Sequence, residues 1–146
     1  MIDIRKATRN DTPAIADLMV SLGYPDAATH TEKRVAQLIA HPDEELLVAA
    51  KGGKIVGVIS IHFIPQLALA GDFCRISYFC VSEDARGEGI GAALEARTVE
   101  LARARGCDRI EVHSSTRRER AHRFYYRQGY VESPKYLIKS VRELLP

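Results

Sequence analysis

Residues 81–97 read VSEDARGEGIGAALEAR, and the fold turns on how this stretch is read. The segment RISYFCV, Arg75 to Val81, leads into it with the β-branched and aromatic residues of a strand. Beyond it, Ile90, Ala93, Leu94, Leu101 and Ala104 recur on one face of a helix that Gly106 stops. Between the two lie glycines at 87, 89 and 91 with Arg86 beside them. A glycine-rich junction from strand to helix leaves unpaired backbone N–H groups at the positive end of the helix dipole, and glycine lets a ligand come close to them. The spacing therefore predicts an anion cradle, most often occupied by phosphate or pyrophosphate.

Working outward, ELLVAAKGGKIVGVISIHFI, Glu45 to Ile64, is two strand-like runs joined by Gly52 and Gly53, the signature of a tight antiparallel hairpin. IDIRKA, Ile2 to Ala7, alternates as a half-buried strand, and Asn10, Asp11, Thr12 and Pro13 then open a helix carrying Ile15, Leu18, Met19 and Leu22. A second helix is predicted over about 31–40, with Val35, Leu38 and Ile39 as its apolar face. After the long helix, RIEVHSS, Arg109 to Ser115, reads as a strand, and Ala121, Phe124, Tyr125 and Gln128 mark a last helix stopped by Gly129. YVES and YLIKS are expected to form a final hairpin around Pro134. One α/β domain over residues 1–146, with a mixed, mostly antiparallel sheet and helices on both faces, accounts for these segments.

Other glycine loops fit less well. Gly87, Gly89 and Ala92 satisfy G-x-G-x-x-A, and Glu111 lies about 20 residues on, where a dinucleotide fold wants an acid. In that fold the first glycine follows its strand almost at once, whereas residues 82–86 intervene here, and the preceding segments form a hairpin rather than a βαβ unit. No Gly-Lys-Ser or Gly-Lys-Thr closes the loop, which excludes a P-loop.

The chain resembles the GNAT superfamily of N-acetyltransferases. The family signature Q/R-x-x-G-x-G/A is met by Arg86, Gly89 and Gly91, and the strand pattern apolar-x-Val that stands five residues before the arginine is met by Phe79-Cys80-Val81. A second family motif, A-x-x-x-Y-x-x-x-G-F/Y, is met by Ala121, Tyr125, Gly129 and Tyr130. Both occur in family order, and the order of segments agrees over nearly the whole chain. The resemblance implies that the backbone of Arg86, Gly87, Glu88, Gly89, Ile90, Gly91 and Ala92 holds the pyrophosphate of coenzyme A, and that the pantetheine arm lies along Phe79, Cys80 and Val81. It implies also that a backbone N–H near Val81 polarises the acetyl carbonyl where two central strands splay apart, and that Tyr125 contacts the coenzyme and acts as general acid toward its thiolate.

Transfer from a thioester to an amine further needs a base. Family members often place a glutamate on the strand before the loop, and RISYFCV has no carboxylate. Glu45, Glu111, His62 and His113 are candidates, directly or through water, and Tyr78 is a candidate for positioning the amine. Cys80 as an acetyl-carrying nucleophile has no visible partner base, so direct transfer is expected. Arg118 stands where the family often has asparagine.

The 146 residues are 46% hydrophobic and 27% charged with a net charge of +2, which fits a folded domain and gives no field that argues for nucleic acid. TRRERAHRFYYR, Thr116 to Arg127, holds five arginines among aromatics, and is read as a solvated helix face serving the coenzyme phosphate or an acidic substrate. Cys74, Cys80 and Cys107 are odd in number, lack C-x-x-C spacing and sit in apolar segments, so buried thiols in a reducing, cytoplasmic setting are expected. The N-terminus has no signal-peptide pattern and no run reaches membrane-spanning length. The expected activity is transfer from acetyl-CoA to a primary amine, of a small molecule first and of a protein N-terminus or lysine second, with no metal, nucleic-acid or membrane partner and with homodimers common in the family. A coenzyme-A-binding regulatory module is the non-enzymatic alternative.

Overall fold

A computed structural model describes residues 1–114, 118–133 and 136–142, which gather into two compact units, Met1–Val112 and His113–Pro146. The first unit is built on a sheet of five strands in sequential order: β1 (Ile2–Lys6), β2 (Glu44–Lys51), β3 (Lys54–Ile64), β4 (Phe73–Val81) and β5 (Arg109–Val112). Neighbours run antiparallel except β4 and β5, which are parallel. The helices of this unit are α1 (Thr12–Leu22), α2 (Ala28–Ala40) and α3 (Ile90–Ala104). The mixed, mostly antiparallel sheet expected from the sequence is the one observed.

Residues alternate between the two faces of a strand, and the faces here carry different helices. Ile15 and Leu18 of α1 and Val35 of α2 pack with Leu46, Val48, Val58 and Cys80 on one face. On the other, Ile90 and Leu94 of α3 lie against Gly57, where a Cβ would meet them at 3.1 and 3.0 Å. The α3 helix therefore sits on β3 more closely than any other residue at position 57 would allow. Gly52 and Gly53 take φ of +58° and +80°, the paired left-handed conformation of a type I′ turn, which closes the β2–β3 hairpin where the sequence places it.

Two bulges shift the register. Ala50 faces Ile55 while Ala49 faces Gly57, so Val56 is an extra residue in β3. Ser60 faces Tyr78 while Ile61 faces Ile76, so Ser77 is an extra residue in β4. Among the described residues the β4–β5 ladder ends immediately beside the second bulge: Ile76 faces Val112 in the last pair, and β4 runs on to Val81.

The entry to α1 is fixed by charge. Asp11, 6% exposed, accepts from Arg5 Nη1 and Nη2 at 2.8 and 2.9 Å and from the Thr8 backbone N–H at 2.8 Å. The Arg5 hydrogen bonds outweigh burial and hold the Asp11 carboxyl below the usual carboxylate range.

Some boundaries differ from expectation. Helix α2 starts three residues early because Thr31 N–H and Oγ1 both return to the Ala27 carbonyl, adding a turn that has no apolar periodicity. In the second unit, α4 spans Glu119–Arg127, and the expected hairpin of YVES and YLIKS is not formed: Tyr130–Ser133 and Tyr136–Ser140 are not strands, while Pro134 lies outside the described residues. A two-stranded ribbon holds only when one face is covered, and Val131, Leu137 and Ile138 are all exposed. The three cysteines are free thiols, with Cys74 and Cys80 buried and Cys107 half-buried, so the expected burial is complete for two of them. Burial pushes the Cys74 thiol up to about 12.

Because the folded Asp11 pKa lies below its unfolded value, its contribution is present above about pH 4 and is lost as pH falls through the lower folded value. Asp11→Asn is expected to cost about 2 kcal/mol at neutral pH, with Arg5 left to water, and to flatten the acid limb of stability. Urea denaturation at several pH values measures both; an unchanged acid limb would contradict this assignment.

Candidate active site

The loop after β4 begins with a register that decides which backbone groups are available. The Ser82 N–H donates to the Val56 carbonyl at 2.7 Å, so the amide of residue 82 points to β3. Alternation along the strand turns Cys80 the same way and directs the N–H groups of Phe79 and Val81 to the opposite side. That is the side from which β5 has withdrawn after Ile76. The Val81 N–H thus points to this side from a rigid strand, at a residue the sequence marked for the acyl-carrying arm. Cys80 is turned away from this opening: its thiol donates to the Leu18 carbonyl at 3.4 Å beneath α1 and is buried, an unreactive setting.

Beyond Val81 the chain makes a short turn and reaches Gly87 and Gly89, with φ of +85° and +80° and open space where a Cβ would stand. Gly89 caps α3 without any side-chain hydrogen bond, and its carbonyl takes the first intrahelical bond from Ala93 at 3.0 Å. The N–H groups of Ile90, Gly91 and Ala92 therefore face out of the helix end with the dipole behind them, and no acidic residue occupies the first turn. Arg86, exposed, stands beside the loop 3.7 Å from Glu83, and the Glu88 carboxylate is neutralised by Lys51. A phosphate-bearing donor fits this cradle in charge and in space.

On the face of α1 and α2 the strands carry polar groups. Tyr78 is exposed and meets the ring of Tyr24, at the end of α1, edge-on at 5.5 Å. Next to it, Ser77 Oγ bonds His62 Nε2, and the Nδ1 of the same ring is in ion-pair contact with Glu44 on β2. Further along, Arg75 reaches Glu111 at 3.0 Å and Arg109 reaches it at 2.7 Å. Burial would raise the Glu111 pKa, but the hydrogen bonds from the two guanidiniums outweigh it and hold the carboxyl low. Glu111 is thus a weak proton acceptor. Glu45 lies on β2 opposite Ile61, paired with Lys6 at 3.4 Å, away from Val81. Neither carboxylate shares the opening beside Val81.

In the second unit, Tyr125 sits half-buried on α4, its ring 5.5 Å from Phe124 and 5.4 Å from Tyr130. Tyr130 N–H returns to the Tyr125 carbonyl and Gly129 N–H to that of Tyr126, both at 3.0 Å, closing the helix as a Schellman motif. The Gly129-Tyr130 end of the sequence motif thus fixes the tyrosine four residues before it. Burial pushes the Tyr125 phenol up to about 12, with Arg118 opposing weakly. His113 stacks on Tyr136 at 4.1 Å. Sequence reasoning missed Glu44, Ser77 and Tyr24; only the register at the two bulges brings the first two to His62.

The chain belongs to the acetyltransferase (GNAT) family, whose model matches residues 12–130. It is an enzyme of the N-acetyltransferase class, and enzymes of this family use acetyl-CoA as co-substrate. It is similar to the aminoalkylphosphonate N-acetyltransferase of Salmonella typhimurium strain LT2, at 32% identity over 133 residues that cover 90% of this chain and 86% of that protein. Among solved structures, it matches a transcriptional regulator from Bacillus halodurans C-125 with a TM-score of 0.89 at 26% identity, covering 96% of this chain and 99% of the other. An aminoglycoside acetyltransferase from an uncultured soil metagenomic sample matches with a TM-score of 0.81 at 23% identity, over 97% and 99% of the two chains, a likeness of fold alone.

Gly57→Ala is expected to press a methyl group into Ile90 and Leu94, both essentially fully buried, and to lift the start of α3. A cost of about 1–3 kcal/mol in thermal unfolding should accompany weaker binding of coenzyme A. Full stability with unaltered binding would show that the close helix contact does not position the loop.

Proposed function

We propose that the protein transfers the acetyl group of acetyl-CoA directly to the primary amine of a small molecule. The observation that carries this reading is the Ser82–Val56 hydrogen bond, because it fixes the strand phase that turns the Phe79 and Val81 N–H groups to the side β5 has left. In this reading the backbone from Arg86 to Ala92 takes the pyrophosphate, the pantetheine arm follows Phe79 to Val81, and the Val81 N–H donates to the thioester carbonyl oxygen as it becomes an oxyanion. One preorganised donor of this kind is worth about 3 kcal/mol of barrier. The relative that acts on aminoalkylphosphonates supports amines carrying a phosphonate or phosphate as the first acceptors to try. The family match spans both compact units, which supports their working as one catalytic domain. Among the described residues no helix is long and apolar enough to cross a membrane.

The Tyr125 phenol serves the leaving sulfur in this scheme. A pKa of about 12 keeps it protonated throughout the working range. An ordinary thiol titrates near about 8.5, so complete transfer of the phenol proton to a thiolate is uphill by roughly 3 units or about 4–5 kcal/mol. Tyr125 therefore donates a hydrogen bond to the departing thiolate, and the proton that ends on sulfur originates on the attacking nitrogen.

Thermal unfolding with acetyl-CoA, free coenzyme A or NADH tests donor binding, since a ligand at 100 times its dissociation constant stabilises by roughly 2.7 kcal/mol. Stabilisation by both coenzyme A forms and not NADH, followed by amine-dependent release of coenzyme A with 2-aminoethylphosphonate, is the expected result. A shift with NADH alone would overturn the reading. Tyr125→Phe should lower kcat roughly 10- to 100-fold while leaving coenzyme binding intact and the shape of the pH profile unchanged below about pH 10. Undiminished turnover in that variant would remove the role.

A further inference from the structure

We infer that Glu44, His62 and Ser77 form a proton relay that deprotonates the acceptor amine through water, with Ser77 as its outermost group. This inference rests on the acetyl-transfer reading above. Each member comes from a different strand. Glu44 faces His62 across β2 and β3, with both side chains on the face of α1 and α2, and the Glu44 carboxylate is in ion-pair contact with His62 Nδ1. That Glu44 oxygen, Oε2, is buried, and the His62 ring nitrogen is set against it. On the far side of the ring, Nε2 bonds Ser77 Oγ. His62 and Glu44 are largely covered, at 23% and 19% side-chain exposure, while Ser77 is exposed. The outermost group therefore meets solvent and the two behind it are sheltered.

The position of Ser77 is as specific as its partners. It is the extra residue of the β4 bulge, and it follows Ile76, the last residue of β4 paired to β5. The relay thus opens at the foot of the strand segment that carries the Phe79 and Val81 donors, with the exposed Tyr78 and Tyr24 rings next to it. Bulges recur beside active sites because the additional residue re-aims a side chain. Here it turns a hydroxyl onto an imidazole that an unbulged strand would not present.

The charged groups facing the ring across the strands are Glu44 on β2 and Arg75 on β4, the register partner of His62. Arg75 is drawn to Glu111 on β5. With the neutral ring protonated on Nδ1, Nε2 accepts the Ser77 proton as Ser77 Oγ takes one, through water, from the ammonium of the acceptor. The proton leaves the imidazolium for solvent, and the Glu44 carboxylate stabilises that cation while it lasts. The freed nitrogen lone pair forms the C–N bond to the acetyl carbon, the C–S bond breaks with its electron pair on sulfur, and the second nitrogen proton reaches the thiolate with Tyr125 assisting. No oxidant or metal enters the step.

The test pairs kinetics with a spectroscopic readout of the ring. In His62→Gln, kcat for 2-aminoethylphosphonate with acetyl-CoA should fall on the order of 100-fold with acetyl-CoA binding unchanged. Ser77→Ala, at an exposed position where folding is undisturbed, should lose on the order of 100-fold in kcat with acetyl-CoA binding unchanged, and Ser77→Thr should recover most of it. Glu44→Gln should lower kcat on the order of 10-fold with acetyl-CoA binding unchanged, because the carboxylate set against the ring is removed. Independently, nitrogen NMR of the His62 ring should show the Nδ1–H tautomer in the neutral form. A neutral Nε2–H tautomer, full activity in Ser77→Ala, or an acetylated Ser77 in mass spectra would each overturn the relay. A wild type that binds acetyl-CoA yet acetylates no amine would overturn the acetyl-transfer reading first, and the relay with it.

Discussion

The departure of β5 from β4 after the Ile76–Val112 pair is the constraint on which the active-site account depends. A strand buried in a sheet spends its backbone donors on its neighbours, and an unpaired buried N–H costs free energy. Here β4 keeps β3 on one side throughout its length, while among the described residues its ladder with β5 ends at the Ile76–Val112 pair, so the Val81 N–H is directed to the side that β5 has left. Gly57 lets α3 lie close on β3, which sets the helix end and its glycine loop beyond the tip of the same strand.

In the proposed reaction, the donor half and the acceptor half of the chemistry draw on opposite faces of one strand. Residues 79 and 81 lie on the face of α3, whereas Tyr78 and Cys80 alternate to the face of α1 and α2, where the Glu44–His62–Ser77 constellation also stands. The same division explains why Cys80, in mid-strand beside the donors, is inert: its thiol belongs to the packed core beneath α1.

Much of this was legible in the sequence because it rests on local chemistry. Gly52-Gly53 demands a tight turn, apolar periodicity marks the long helix, and the spacing from Val81 through Arg86 to Gly91 places the cradle. What stayed hidden depends on register. Counting straight back from the hairpin turn sets Glu44 opposite Ile61; the extra Val56 slips the ladder by one and sets it opposite His62 instead. A second slip at Ser77 completes the constellation. No composition or periodicity encodes such a slip, so the sequence offered His62 among several bases and omitted both of its partners. The end of the chain failed for another reason: YVES and YLIKS have strand-like composition, but strand formation needs a covered face, which residues 131, 137 and 138 do not find.

The most direct measurement is residue-resolved amide exchange by NMR, with and without coenzyme A. The account predicts that binding protects the amide of Val81 together with those of Ile90, Gly91 and Ala92, while Cys80 and Ser82, already committed to β3, change little. Binding that leaves residue 81 unprotected, or that protects a different surface, would contradict the claim that the withdrawal of β5 creates the acyl-donor site.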